Sequence, residues 1–109
     1  MRVVLCGDML FSSRNLAKRL SPEVVKILKE ADAVFCNAEF STPKRGTPPG
    51  LCMYLTSVPQ EIQDEFVDLN IHLVGFANNH TCDYGWQGCL GTIEAAEARK
   101  TQPCGLGRN

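Results

Sequence analysis

A repeated alternation constrains this chain more than any other feature. Short apolar runs of strand length are each followed by a stretch with helical spacing. The runs are residues 2 to 6 (Arg2-Val3-Val4-Leu5-Cys6), 33 to 36 (Ala33-Val34-Phe35-Cys36) and 71 to 77 (Ile71 to Ala77). Ser21-Pro22-Glu23 opens the clearest helix: Ser21 can cap it, Pro22 suits its first position and Glu23 complements its dipole. Val24, Val25, Ile27, Leu28 and Ala31 give that helix an apolar face. A further helix is expected over Ser12 to Leu20, capped by Ser12 or Ser13 and carrying Leu16 and Leu20. Another is expected from Val58 to Asn70, with Ile62, Phe66 and Leu69 on one face. A last one runs from Trp86 to Lys100, with Cys89 or Leu90, Ile93 and Glu97 along it. Thr101 to Gly107 begins a fourth strand. Helical crossovers between short apolar strands predict an α/β fold with a mostly parallel sheet and flanking helices.

The sequence has 109 residues, which suits one small domain. A net charge of -1 excludes bulk electrostatic binding to nucleic acid or to an acidic membrane surface. No apolar run has the length of a membrane span. Met1 to Cys6 meets Gly7-Asp8 too early for a signal peptide, so a cytoplasmic protein is expected. The six cysteines contain no C-x-x-C pair. Cys6 and Cys36 end apolar runs, where a free thiol behaves as a small hydrophobe. Reduced, structural cysteines without a disulfide are therefore expected. Residues 41 to 57 hold three Pro and two Gly outside any periodic pattern, and a loop of that length is a functional or mobile element. The last residues, Pro103 to Asn109, read as a loop after a strand rather than a terminal cap.

The chemistry gathers where the strands end. The first run ends at Gly7-Asp8, the second at Asn37-Ala38-Glu39, and the third at Asn78-Asn79-His80 with Asp83 close behind. In a parallel sheet these endings share one edge, the edge where open α/β sheets bind ligands. Carboxylate, amide oxygen and imidazole suit a divalent cation. Each residue also has a local explanation. Asp8 can cap the next helix, Asn37 and Asn78 can form turns, and Glu39 and His80 can be solvated. Asp83-Tyr84-Gly85 can be a turn before a helix. The coincidence of three polar endings on one edge is what favours a site. No glycine-rich phosphate cradle and no nucleophilic Ser or Cys with a base is evident.

Three segments carry a resemblance. "GDML" at 7–10, "NAEF" at 37–40 and "ANNHTCDYGWQG" at 77–88 resemble the CapA-type poly-γ-glutamate capsule biosynthesis proteins, within the calcineurin-like metallophosphatase superfamily. The ending "PCGLGRN" is similar to the family's stretch after its long helix. The resemblance implies an αββα sandwich with a divalent metal site (Mn, Fe, Zn or Mg), which can be dinuclear. It makes Asp8 and Asn79 metal ligands, puts Glu39, or else Asn37, near the bridging-carboxylate position, and makes His80 the group that gives a proton or hydrogen bond to a phosphoryl-like transition state. Asn37, Asn78 and Asp83 would support them. It also implies a small-molecule or polymer substrate with a phosphoryl or amide-like centre.

Three departures accompany it. Leu10 stands where metallophosphatases place a His, and Asn-x-Glu replaces their Gly-Asp. The family's later His-x-Gly-Glu-like and His-x-His-like motifs have no counterpart here. Residues 1–109 are therefore expected to form one partial domain, with an incomplete site and an exposed sheet face that drives self-association. The alternatives are a non-catalytic assembly or binding protein on the same fold, and a flavodoxin-like small α/β domain.

Overall fold

Parallel neighbours cannot be joined by a tight turn, so each crossover must carry the chain back along the sheet. The computed structural model, which describes residues 1–50 and 58–108, does this three times. Strand β1 (Val3–Met9) is followed by a 3-10 turn at Leu16–Lys18, helix α1 (Pro22–Lys29) and strand β2 (Ala33–Ala38). A 3-10 turn at Gln60–Gln63 then runs into helix α2 (Asp64–Asp68) and strand β3 (Leu73–Gly75). Helix α3 (Gly85–Ala98) leads to strand β4 (Gln102–Cys104). All three pairings are parallel, in the order β1-β2-β3-β4.

That order has a consequence. Right-handed crossovers between strands laid down in sequence order put every connection on the same face. Burial agrees. Val34, Cys36, Ala38 and Val74 point into one core with Leu28, Ile62, Phe66 and Leu69. On the opposite face Leu5 is 76% exposed and Val3 49% exposed, with Phe35 and Leu73 beside them only partly covered. The strands pair Leu5 with Phe35 and Phe35 with Leu73, so these three side chains form one apolar row. A flavodoxin-like domain would place β1 between β2 and β3. Here β2 lies between β1 and β3, which removes the flavodoxin alternative.

Several boundaries differ from the sequence expectation. Gly7-Asp8 does not end β1; the strand continues to Met9 through a register shift between Leu5 and Asp8. Asp8 therefore caps no helix. Strand β2 runs past Asn37 to Ala38, while β3 is only three residues long. The Ser12–Leu20 helix is reduced to one 3-10 turn entered at Asn15 in the left-handed conformation, with no side-chain cap. The Val58–Asn70 helix begins as a 3-10 turn. Ser21 caps α1 as expected, accepting from the Val24 N–H, with Pro22 in the first turn. Val24 and Ile27 nonetheless face solvent, and Leu28 and Ala31 carry the burial. In α3, Cys89 and Ile93 are buried and Glu97 is exposed. Residues 51–57 of the long loop, Cys52 among them, and Asn109 lie outside the described residues.

Buried polar ties hold the loops that frame the C-terminal edge. Gln63 donates to Thr42 Oγ1 at 2.6 Å and to the Thr92 carbonyl at 3.2 Å, joining the 3-10 turn before α2 and helix α3 to the segment after β2. Phe40 stacks on Phe66 with centroids 6.0 Å apart, and Phe11 meets both edge-on. The backbone beside Glu39 is thus set by packing. No described helix is long and apolar enough to cross a membrane.

Candidate functional site

The strand endings meet through one chain of hydrogen bonds. Asn37 stands opposite Asp8 on β1 and opposite Gly75 on β3. Its Nδ2 donates to Asp8 Oδ1 at 2.8 Å and to Glu39 Oε1 at 2.8 Å. Its Oδ1 accepts from Asn78 Nδ2 at 3.2 Å. Asn78 Nδ2 also donates to the Ala38 carbonyl at 2.7 Å, and Asn78 Oδ1 accepts from the His80 N–H at 3.0 Å. His80 Nδ1 then meets Asp83 Oδ2 at 2.8 Å.

The direction of this chain is fixed by backbone groups. A carbonyl can only accept and an N–H can only donate. Ala38 O and His80 N–H therefore pin the Asn78 amide at both ends. Asn78 then presents an N–H to Asn37, so the oxygen of Asn37 must face Asn78. The nitrogen of Asn37 is left to face the two carboxylates. Asn37 accordingly stands as a bridge between Asp8 and Glu39, rather than as an oxygen ligand between them.

Gly75 makes room chiefly for the ring of Phe35, beside this bridge. A Cβ at that position would lie 3.0 Å from Phe35 Cζ and 3.5 Å from Asn37 Oδ1. A side chain there would press on Phe35, while the distance to Asn37 is ordinary van der Waals contact.

The turn after β3 holds the imidazole. Thr81 Oγ1 donates to the Phe76 carbonyl and accepts from the Asn78 N–H at 3.0 Å. Ser41 Oγ donates to the His80 carbonyl at 2.5 Å, and Gly50 N–H donates to the Asp83 carbonyl at 2.7 Å. Asp83 is fully buried, while the His80 side chain keeps 18% of its surface exposed. A buried carboxylate against Nδ1 favours the tautomer with its hydrogen there and leaves Nε2 as the acceptor nitrogen. Asp83-Tyr84-Gly85 is also the turn that leads into α3, with Gly85 at φ 59°. The local explanation, a turn before a helix, therefore holds. Asn79 is exposed on the same turn, beside this network but outside it.

Asp8, Asn37, Glu39, Asn78, His80 and Asp83 are therefore brought together at one edge. Sequence reasoning missed Ser41, Thr81, Gly50 and Gly75. Thr81 had a signal, since Asn78-Asn79-His80-Thr81 has the i to i+3 spacing of a side-chain-capped turn. Ser41 had none, because its partner lies 39 positions away.

The donor set has the hard oxygen character that divalent cations take. Each carboxylate has acceptor capacity beyond the bond from Asn37. Two carboxylates do not complete a coordination sphere, however. Among the described residues no three His, Cys, Asp or Glu side chains cluster closely enough to hold a metal ion by themselves. Asp8 and Glu39 would supply at most part of a cation site.

No curated protein matches the chain. The family profile described as bacterial capsule synthesis protein PGA_cap matches residues 2–109. The match spans the α/β sheet and all three strand endings that build this edge, and the chain belongs to the PGA_cap family of bacterial capsule synthesis proteins.

Proposed function

We propose that this edge is the metal-dependent hydrolytic centre of a capsule-synthesis protein, acting on a phosphoryl or amide-like group of a small-molecule or poly-γ-glutamate substrate. The observation that carries it is the unbroken hydrogen-bond chain from Asp8 to Asp83 across three strand endings. Asp8, Glu39 and Asn79 would hold the divalent cation, which when bound polarises the reacting centre and activates a water. Asn37 bridges the two carboxylates. Asn78 fixes Asn37 and the His80 backbone together. His80, oriented by Asp83, moves a proton at Nε2.

We also read the uncovered sheet face as the seat of a second layer, so that these residues are one part of a larger site and fold. When that layer is absent, a second copy of the chain is the proposed cover.

The test is hydrolysis of a generic phosphodiester with Mn²⁺ by the whole gene product. His80→Ala is expected to lower the rate by about 10²–10⁴-fold, as loss of a general acid or base does. Equal rates for the two proteins would remove His80 from the mechanism.

One observation favours a second reading, a binding protein without catalysis. Leu10 stands 64% exposed next to β1, where superfamily enzymes carry a histidine. Divalent cation uptake with no hydrolysis of any ester or amide probe would decide for it.

A further inference from the structure

We propose that Cys82 and Cys89 are a reversible thiol–disulfide pair, and that closing it clamps the turn carrying His80 onto α3. The inference is independent of what the site hydrolyses.

Cys82 Sγ and Cys89 Sγ lie 3.7 Å apart. Cys82 is exposed on the turn after β3, and Cys89 is buried one turn into α3. Cys89 Sγ also donates to the Thr81 carbonyl at 3.3 Å, which fixes it beneath the same turn. A disulfide bond is about 2.05 Å long, so the sulfurs must approach by roughly 1.7 Å. A modest side-chain rotation and a small shift of the turn supply that. The turn sits between His80 and Asp83, so its shift is felt at the imidazole.

The two thiols differ in the way a sensor pair requires. Burial, then the hydrogen bond and the charge of Cys82, push the Cys89 thiol up to about 11. Cys89 thus keeps its proton and is shielded from solvent. Cys82 is the thiol that an oxidant reaches first. Cys36, by contrast, is wholly buried and pushed up to about 12, chiefly by burial, with Cys6 the adjacent thiol and only partly exposed. That second pair has no exposed member.

The oxidant is a hydroperoxide. The Cys82 thiolate attacks the O–O bond; an S–O bond forms, the O–O bond breaks, and with hydrogen peroxide the leaving oxygen departs as water after taking a proton. Cys82 is now a sulfenic acid. The Cys89 sulfur attacks the Cys82 sulfur, the S–S bond forms, and the hydroxyl leaves as water with the proton that Cys89 gives up. Two thiols lose two electrons in all, one peroxide gains them, and two waters result.

The experiment treats the reduced whole chain with hydrogen peroxide, alkylates it, and digests it with chymotrypsin. Cleavage after Tyr84 and Trp86 separates Cys82 from Cys89, so their disulfide appears as two joined peptides two hydrogens lighter, released by dithiothreitol. In Cys89→Ala, Cys82 should accumulate as sulfenic and then sulfinic acid. In Cys82→Ser, a change at an exposed site that spares the core, Cys89 should stay fully alkylatable after denaturation. The His80 ring resonance should move between the reduced and oxidised chains while that of His72 stays. Joining of Cys82 to Cys52, to Cys104 or to a second chain would overturn the proposal. So would a free Cys89 beside over-oxidised Cys82, or a stationary His80 resonance.

Discussion

At the residue scale, the position of Asn37 decides how the edge behaves. Its amide nitrogen faces two carboxylates because Asn78 leaves it no other orientation. Replacing that nitrogen with oxygen puts a third acceptor against Asp8 and Glu39. Asn37→Asp keeps the acceptor for Asn78 but loses two charge-assisted bonds and adds like-charge repulsion. We expect it to destabilise the fold by about 2 kcal/mol in chelator, and to recover most of that with millimolar Mn²⁺. Thermal unfolding with and without metal checks this, and equal midpoints for mutant and wild type in chelator would count against it. The residue types of this site were legible, because Asp8, Asn37, Glu39, Asn78 and His80 stand where apolar runs end, with Asp83 close behind. The amide directions were not. They depend on Ala38 O and His80 N–H, which come together only when β2 and the turn after β3 are side by side.

At the element scale, the segment after β1 is held by a buried charge instead of by helical periodicity. Glu65 in α2 is fully buried and accepts from Arg14 Nε at 2.6 Å, Asn15 N–H at 2.9 Å and Leu16 N–H at 2.7 Å. Burial raises its pKa, but the bonds from Leu16, Arg14 and Asn15 outweigh burial and hold it below the usual carboxylate range. A depressed folded-state value stabilises the fold above the unfolded pKa, near 4.3, and that contribution fades as pH falls through the folded value. Glu65→Gln should therefore cost about 2 kcal/mol at pH 7 and flatten the acid limb of the stability curve below about pH 4.3. Denaturant unfolding across pH 2–7 measures both; parallel acid limbs would refute this role. This tie explains why Ser12 to Leu20 forms one 3-10 turn rather than the helix that the Leu16 and Leu20 spacing predicts. Asn15 and Leu16 spend their N–H groups on Glu65, 49 or more positions away, where no local pattern reports it. Strand β1 was misjudged for a related reason. Gly7-Asp8 has turn composition, yet pairing with β2 continues past a register shift.

At the scale of the whole molecule, the described helices pack on one face of a sequentially ordered sheet. The parallel α/β architecture was legible from strand-length runs and helical spacing alone. That the other face stays uncovered follows from strand order, which composition does not encode. Leu5, Phe35 and Leu73 form its apolar row, and β1 is an edge strand. Contiguous exposed apolar surface drives association, and an open edge adds a pairing site. We expect the 109-residue chain to self-associate in sedimentation velocity at micromolar concentration. Leu5→Lys should shift it toward monomer with an unchanged circular dichroism spectrum. Identical sedimentation of the two proteins would show that this face is not the contact.

The central claim is that the three strand endings form one cation-binding edge, and Mn²⁺-induced broadening of NMR signals tests it most directly. Paramagnetic broadening is confined to nuclei close to the ion and needs only weak binding. His72, exposed at the other end of β3, serves as the internal control, and the Asp64, Glu65 and Asp68 carboxylates around Arg14 are the competing acidic cluster. Substoichiometric Mn²⁺ should broaden the His80 ring and the Asn37 and Asn78 side-chain amides first, and Asp8→Asn with Glu39→Gln should abolish the effect. Broadening that begins at α2, or that spreads evenly over His72 and His80, would contradict the account.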